Sequence, residues 1–168
     1  MPIGDRLRSL SDRLNTAVIA VCIACVLAML AISFAGFLYM AATGEALSWT
    51  YSLARLFIPW IGMLSITVAF RSGEHVAMSL LLRLAPRGVA AALRWTVVAL
   101  IALFALLLVW FGWDFFVGSN RYYMVSDQIQ IHAGWVTACI PITGVILLLH
   151  LVNGPDLLEP LHPETERD

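Results

Sequence analysis

Only a few residues of this chain are of types that could do redox, metal or haem chemistry. His75 and His150 fall near the same end of two apolar segments, and two histidines at one depth on different helices can ligate a haem. The two other histidines supply no second pair, so a b-type four-helix membrane cytochrome stands as an alternative only. Cys22 and Cys25 form a C-x-x-C pair inside an apolar run. Because a reactive thiolate needs polar, accessible surroundings, we interpret these two as small apolar side chains.

Ionisable side chains that could do acid–base chemistry are also scarce in the apolar segments. An ionisable side chain in the middle of a membrane helix usually marks a proton or ion path, yet no charged residue occurs between Arg13 and Glu45, and the other apolar segments are similar. Asp114 comes closest to a buried acid. We interpret it as a residue of an interfacial aromatic belt, with a contact to Arg121 or to a partner subunit as the alternative. The sequence thus disfavours a chain that transports by itself, although a stand-alone small transporter is a second alternative.

The composition shows what kind of element must position these residues. The chain has 168 residues, of which 61% are hydrophobic and 12% are charged, and its mean hydropathy is +0.87. Soluble domains are nearer half apolar and a quarter charged, so an ordinary soluble enzyme and a disordered chain are both excluded. A net charge of −1 provides no basic field for nucleic acid. No metal or cofactor is expected.

Four uncharged segments predict an all-α membrane protein, since a membrane span takes about 20 helical residues. We expect four transmembrane helices at about residues 17–42, 52–70, 92–115 and 132–152, followed by a short tail over 153–168. Pro141 predicts a kink in the fourth span. Each span also contains a glycine of the kind that lets membrane helices approach closely. These glycines are Gly36, Gly62, Gly112 and Gly144.

The arginines set the expected orientation. All ten basic residues are Arg, and four spans place both termini on one side of the membrane. That side carries eight arginines, and the other carries only Arg55 and Arg121. Since positive residues concentrate on the cytoplasmic side, both termini are expected in the cytoplasm. The loops around residues 43–52 and 118–130 would then face outward.

Two connecting segments have the pattern of amphipathic helices. Trp49, Leu53, Leu56 and Trp60 recur at three- and four-residue steps, opposite a more polar face with Arg55. Such a helix suits the membrane interface, with its Trp side chains at headgroup depth. The stretch over 74–85 is similar and more apolar. We therefore predict short interfacial helices here, with simple extension of the adjacent spans as the alternative.

A polar group marks the exit of the second span. Arg71, Glu74 and His75 cluster there, next to Gly73. One interpretation is positive-inside anchoring together with the start of a new helix. The other is a docking or hinge contact, because an arginine near a buried interface can hold a carboxylate in bidentate fashion. The spacing alone favours neither.

Taken in order, these motifs resemble a known family. The stretch over 48–62 contains Trp49, Leu-Ala-Arg-Leu-Phe at 53–57 and Trp60, and residues 71–76 read Arg-Ser-Gly-Glu-His-Val. A later stretch contains Trp135 and Ile-Pro-Ile-Thr-Gly at 140–144. This order resembles the small, DctQ-type membrane subunit of tripartite ATP-independent periplasmic (TRAP) transporters, over most of the chain.

The resemblance implies a division of labour in the bacterial inner membrane. A large membrane subunit would carry the substrate and sodium sites, a periplasmic binding protein would deliver an organic acid, and the small subunit would brace the large one. It also implies roles for particular residues, all as contacts to lipid or to partners. The depth of the subunit at the outer interface would be set by Trp49, Arg55 and Trp60. The cytoplasmic turn would be fixed, or the large subunit contacted, by Arg71, Glu74 and His75. The binding protein would meet Arg121 and Asp127, and the motif of the fourth span includes Trp135 and Pro141.

Overall fold

The structure is a computed structural model that describes residues 2–72, 87–126 and 129–152. The helices are α1 (Pro2–Thr43), α2 (Ser48–Ala54), α3 (Ile58–Ser72), α4 (Arg87–Val117), α5 (Gly134–Thr137) and α6 (Cys139–Val152). A 3₁₀ turn, Arg55–Phe57, joins α2 to α3, and two short strands, β1 (Tyr122–Met124) and β2 (Gln130–His132), lie between α4 and α5.

Four helical segments of the described chain are long and apolar enough to cross a membrane. They are Ser9–Thr43, Ser48–Arg71, Ala91–Val117 and Gly134–Val152. The predicted class, a helical protein with four helices long and apolar enough to span a membrane, is therefore confirmed. The first helix is longer than its expected span, because α1 begins at Pro2 and covers 42 residues, about 63 Å at 1.5 Å per residue. It ends where Gly44 adopts a positive φ of 77° and donates its N–H to the carbonyl of Met40.

Two prolines explain where the regular α-helix is interrupted within the second and fourth spans. Pro59 has no N–H to give to the carbonyl of Arg55, and that carbonyl instead accepts from the N–H of Ile58 in a tighter 3₁₀ turn. The chain thus stays helical from Ser48 through Ser72. Pro141 acts in the same way on the fourth span. The predicted interruption falls one turn earlier, at Ala138 between α5 and α6, because the proline ring disturbs the turn that precedes it.

The spans form an antiparallel bundle in which α3 and α6 are central. Helix α1 packs on α3 at one flank, and α4 packs on α6 at the other. Val18, Leu64 and Ile146 join α1, α3 and α6 in one buried cluster, while a second cluster joins α3, α4 and α6. Its buried members are Phe70, Ala105 and Leu147. We call the end of the bundle where α1 starts and α6 finishes the terminal end, and the opposite end the hairpin end.

Of the four glycines noted in the sequence, three lie at close helix crossings. A Cβ at Gly144 would stand 2.8 Å from Val109 Cγ2 and 2.9 Å from the carbonyl oxygen of Ala105, and one at Gly112 would stand 2.9 Å from the backbone nitrogen of Pro141. Helices α4 and α6 therefore touch almost backbone to backbone. Gly36 similarly faces Thr50 of α2. A Cβ at Gly62 would meet nothing within 4 Å in the described part of the chain, so Gly62 does not serve close packing between the described helices.

The strands form an antiparallel hairpin that the sequence did not predict. Tyr122 pairs with His132, Tyr123 with Ile131, and Met124 with Gln130. The pairing continues one residue beyond the strands, where the N–H of Ala133 donates to the carbonyl of Arg121 over 2.8 Å. The all-α class therefore needs this small addition at the hairpin end.

Candidate functional site

Two polar contacts hold α1 at the terminal end of the bundle. The guanidinium of Arg71 on α3 forms a salt bridge with Asp12 of α1. One residue earlier, the Oγ of Ser11 is hydrogen-bonded to Nδ1 of His150 on α6, at 2.7 Å. We call these four residues the terminal polar cluster. The salt bridge is partly exposed, whereas both side chains of the hydrogen bond are buried.

The chemistry available to His150 is limited by its burial. Its side chain is fully buried, Nδ1 is occupied by Ser11, and Nε2 is buried and has no hydrogen-bond partner among the described residues. The proposed haem partner, His75, lies outside the described residues, and His132 lies at the opposite end of the bundle, where its Nδ1 accepts from the N–H of Gly134. Within the described ranges, no three His, Cys, Asp or Glu side chains come together as a metal site.

At the hairpin end, one indole links two spans. Trp60 donates its Nε1–H to the carbonyl of Trp135, at 2.9 Å, so two tryptophans from distant motifs are brought together. Trp49 is half-buried and Arg55 is exposed. The apolar face predicted for residues 49–60 does turn inward, because Leu53 and Leu56 are half-buried and α2 packs on α1. An interfacial position of α2 stays a prediction.

The other predicted residues are dispersed. Arg121 is exposed beside the hairpin, and Pro141 is buried against Gly112 at the crossing of α4 and α6. Asp114 is exposed on the last turns of α4, and no side-chain ion pair to it is found among the described residues. Glu74, His75 and Asp127 lie outside the described residues, as does the second predicted interfacial helix over 74–85.

Sequence reasoning missed the α1 members of the terminal polar cluster. Ser11 and Asp12 precede residue 17, where the first span was expected to begin, so neither was considered as a helix-packing residue. A signal was present: Ser11, Val18 and Cys25 follow one another at seven-residue steps and share the inward face of α1. The same face contains Cys22, which packs beside Val18 and Leu64 in agreement with its interpretation as apolar filler.

The described residues are arranged in a way that suits contact with lipid or with another protein better than it suits catalysis or ion binding. The described spans hold no carboxylate or lysine in their middle, and the outward faces of α1 and α4 are covered with exposed apolar side chains such as Leu27, Leu30, Leu103 and Leu106. Lipid or another membrane protein must cover those faces.

Comparison with known proteins agrees with this description. The sequence profile of the DctQ component of the tripartite ATP-independent periplasmic transporters matches residues 29–154, which is most of the chain. The chain belongs to the DctQ family. The matched range includes the last three spans, the hairpin and the final third of α1, and it begins after the terminal polar cluster's α1 residues. As a member of this family the chain is a multi-pass membrane protein of a transport system, and the suspected resemblance is confirmed.

One relative of this DctQ chain is the sialic acid TRAP transporter permease protein SiaT of Haemophilus influenzae (strain 86-028NP). It is 26% identical over 108 residues, which make up 64% of this chain and 17% of that protein. The chain thus spans about a sixth of the length of this relative. No solved structure matches the chain.

Proposed function

We propose that this DctQ chain is the small membrane subunit that braces the large subunit of a TRAP transporter, for sodium-coupled uptake of an organic acid that a periplasmic binding protein delivers. The observation that carries the proposal is the contrast between the flanks and the interior of the bundle. The flanks α1 and α4 expose apolar side chains along their length, while the middle of each span lacks an ionisable group that could bind a coupling ion.

The length of the relative supports the same division of labour. Most of SiaT has no counterpart in this chain, because the matched residues amount to 17% of that protein. A permease of that size contains room for the substrate and ion sites that this chain lacks. We infer that a large membrane subunit supplies them here. The name of the relative refers to sialic acid, an organic acid, and the proposed substrate is of that broad class.

The proposed orientation follows the arginines. The terminal end, with Arg71 and Arg94, would face the cytoplasm, and the hairpin end, with Arg55 and Arg121, would face the periplasm. In this orientation Trp49, Arg55 and Trp60 set the depth of the scaffold at the outer interface. Arg71 holds α1 on α3 in the cytoplasmic half, which keeps the brace rigid while the transport subunit moves.

Reconstitution tests the bracing role. The large subunit, with and without this chain, is placed in vesicles with its binding protein, a sodium gradient and a radiolabelled organic acid. We expect little uptake by the large subunit alone, none by this chain alone, and full uptake by the complex. Full uptake without this chain would refute bracing, and uptake by this chain alone would establish the stand-alone transporter.

A pair of matched variants locates the contact face. Leu30 on α1 and Leu103 on α4 are both more than half exposed, on opposite flanks. A tryptophan is tolerated where lipid covers the flank and clashes where a protein packs on it. We expect Leu30→Trp or Leu103→Trp, but not both, to reduce co-purification of the large subunit from mild detergent. If both variants retained the partner in a one-to-one ratio, these faces of the flanks would not be the contact.

A further inference from the structure

The hairpin end of the bundle is unusually rich in amphipathic aromatic residues. All four tyrosines and five of the six tryptophans lie toward this end, and Trp95, near the start of α4, is the exception. Several of them are largely exposed. These are Tyr51, Trp110, Trp113, Tyr122 and Trp135. Tyr and Trp concentrate where a membrane protein crosses the headgroup layer, because their rings suit the apolar side and their polar groups the wet side.

The hairpin continues this aromatic belt. Tyr122 is 62% exposed and Met124 is 70% exposed, and both project from β1 on the same face because side chains alternate along a strand. Tyr122 also packs edge-on against His132, its cross-strand partner, with ring centroids 5.1 Å apart. On the other face Ile131 is half-buried and its partner Tyr123 is 40% exposed, while Val125, just after β1, is buried. One face of the hairpin is therefore the more buried one, and the other presents an aromatic and thioether surface to the surroundings.

Neither water nor hydrocarbon suits that exposed face. A two-stranded hairpin with exposed apolar side chains is marginal in water and invites edge-to-edge pairing. In the hydrocarbon core, the outer edges of both strands would leave backbone groups without hydrogen-bond partners. The headgroup layer supplies hydrogen-bonding groups and water for the backbone, and an acyl boundary for the rings.

We infer that the β1–β2 hairpin lies in the phospholipid headgroup layer as a membrane-surface anchor. Four residues separate the end of α4, whose last turns expose Trp110 and Trp113, from the start of β1. The exposed aromatic surface of the third span therefore adjoins the hairpin along the chain, and lipid is the occupant that suits both. The charges around it form no basic patch. Among the described residues of this end, Arg55 and Arg121 are exposed, and so are Glu45 and Asp114. The sequence adds Asp127 between the strands. Such a set fits a zwitterionic headgroup layer and requires no anionic lipid.

The inference concerns this chain alone and does not depend on the bracing role. It also changes what the segment between the third and fourth spans can do, because a hairpin embedded among headgroups keeps its exposed face from a soluble partner. The binding-protein contact expected near Arg121 would then have to use other surfaces.

Spin-label accessibility tests the position of the hairpin. In a full-length chain whose three cysteines are replaced by alanine, single cysteines at Met124, on the exposed face, and at Ile129, in the turn, are labelled with a nitroxide. Leu103→Cys, on the exposed face of α4, provides the hydrocarbon reference, and labelled glutathione provides the aqueous one. Collision with oxygen and with a water-soluble nickel chelate is measured in vesicles of phosphatidylethanolamine and phosphatidylcholine, with and without phosphatidylglycerol.

We expect an oxygen-to-nickel accessibility ratio at Met124 and Ile129 that is severalfold above the aqueous reference, below the Leu103 value, and unchanged by phosphatidylglycerol. A ratio equal to that of labelled glutathione would overturn the inference, since the hairpin would then stand in water and be free for the binding protein. Low accessibility to both reagents would also overturn it, because protein, including a second copy of the chain, would then cover the hairpin.

Discussion

Substitution of Gly144 by alanine tests the close crossing of α4 and α6. The added Cβ would lie 2.8 Å from Val109 Cγ2, 2.9 Å from the nitrogen of Val109 and 2.9 Å from the oxygen of Ala105. Two of these three neighbours are backbone atoms of α4, which cannot rotate away as a side-chain end can. The two helices must therefore separate, and the packing of Ala105 and Leu147 in the buried cluster loosens with them.

Gly62→Ala is the matched control, because the added Cβ in α3 would meet no described residue within 4 Å. Alanine is favoured over glycine in a helix interior by about 1 kcal/mol, and this gain applies to both variants. The difference between them therefore isolates the overpacking cost, which is about 1–3 kcal/mol for an added carbon in a well-packed site. We expect Gly62→Ala to be neutral or slightly more stable than the parent, and Gly144→Ala to be about 1–3 kcal/mol less stable than Gly62→Ala.

The measurement is the free energy of unfolding of the isolated chain, from titration of mixed micelles with sodium dodecyl sulfate and detection by circular dichroism. Gly112→Ala is a second test at the same crossing and should behave like Gly144→Ala, since its Cβ would meet the backbone nitrogen of Pro141 at 2.9 Å. Equal stability of the alanine variants at positions 62 and 144 would refute the backbone-to-backbone crossing.

Three further predictions concern the polar contacts and the orientation. Ser11→Ala leaves Nδ1 of the buried His150 without its partner and should lower the free energy of unfolding by about 1–3 kcal/mol, whereas Ser9→Ala, on an exposed position of α1, should change it little. Trp60→Phe removes the indole bond to Trp135 and should cost about 0.5–1.5 kcal/mol in the same titration. A fluorescent protein fused after Asp168 should fluoresce in intact bacteria, as expected for a cytoplasmic terminus, and should stay dark if that terminus is periplasmic.

The number of spans and their approximate positions could be predicted from the sequence because they depend on local properties. Twenty or so uncharged residues between charged ones define a span wherever it packs. The effects of Pro59 and Pro141 are equally local, since a missing N–H and a ring disturb the turn that precedes them in any helix. The family could also be recognised from the order of short motifs, and the arginine asymmetry predicts an orientation without any structure.

Tertiary structure decided which face of each helix meets which neighbour. A helix that is apolar all round has no polar face to mark its outward side, so its rotation about its own axis is set only by packing. For that reason the sequence could not distinguish Gly144, at a crossing, from Gly62, in open space. It could not join Ser11 to His150 either, because 139 residues separate them and only the antiparallel bundle brings them together. The hairpin also depends on tertiary structure, since α4 and α5 hold its two strands at pairing distance.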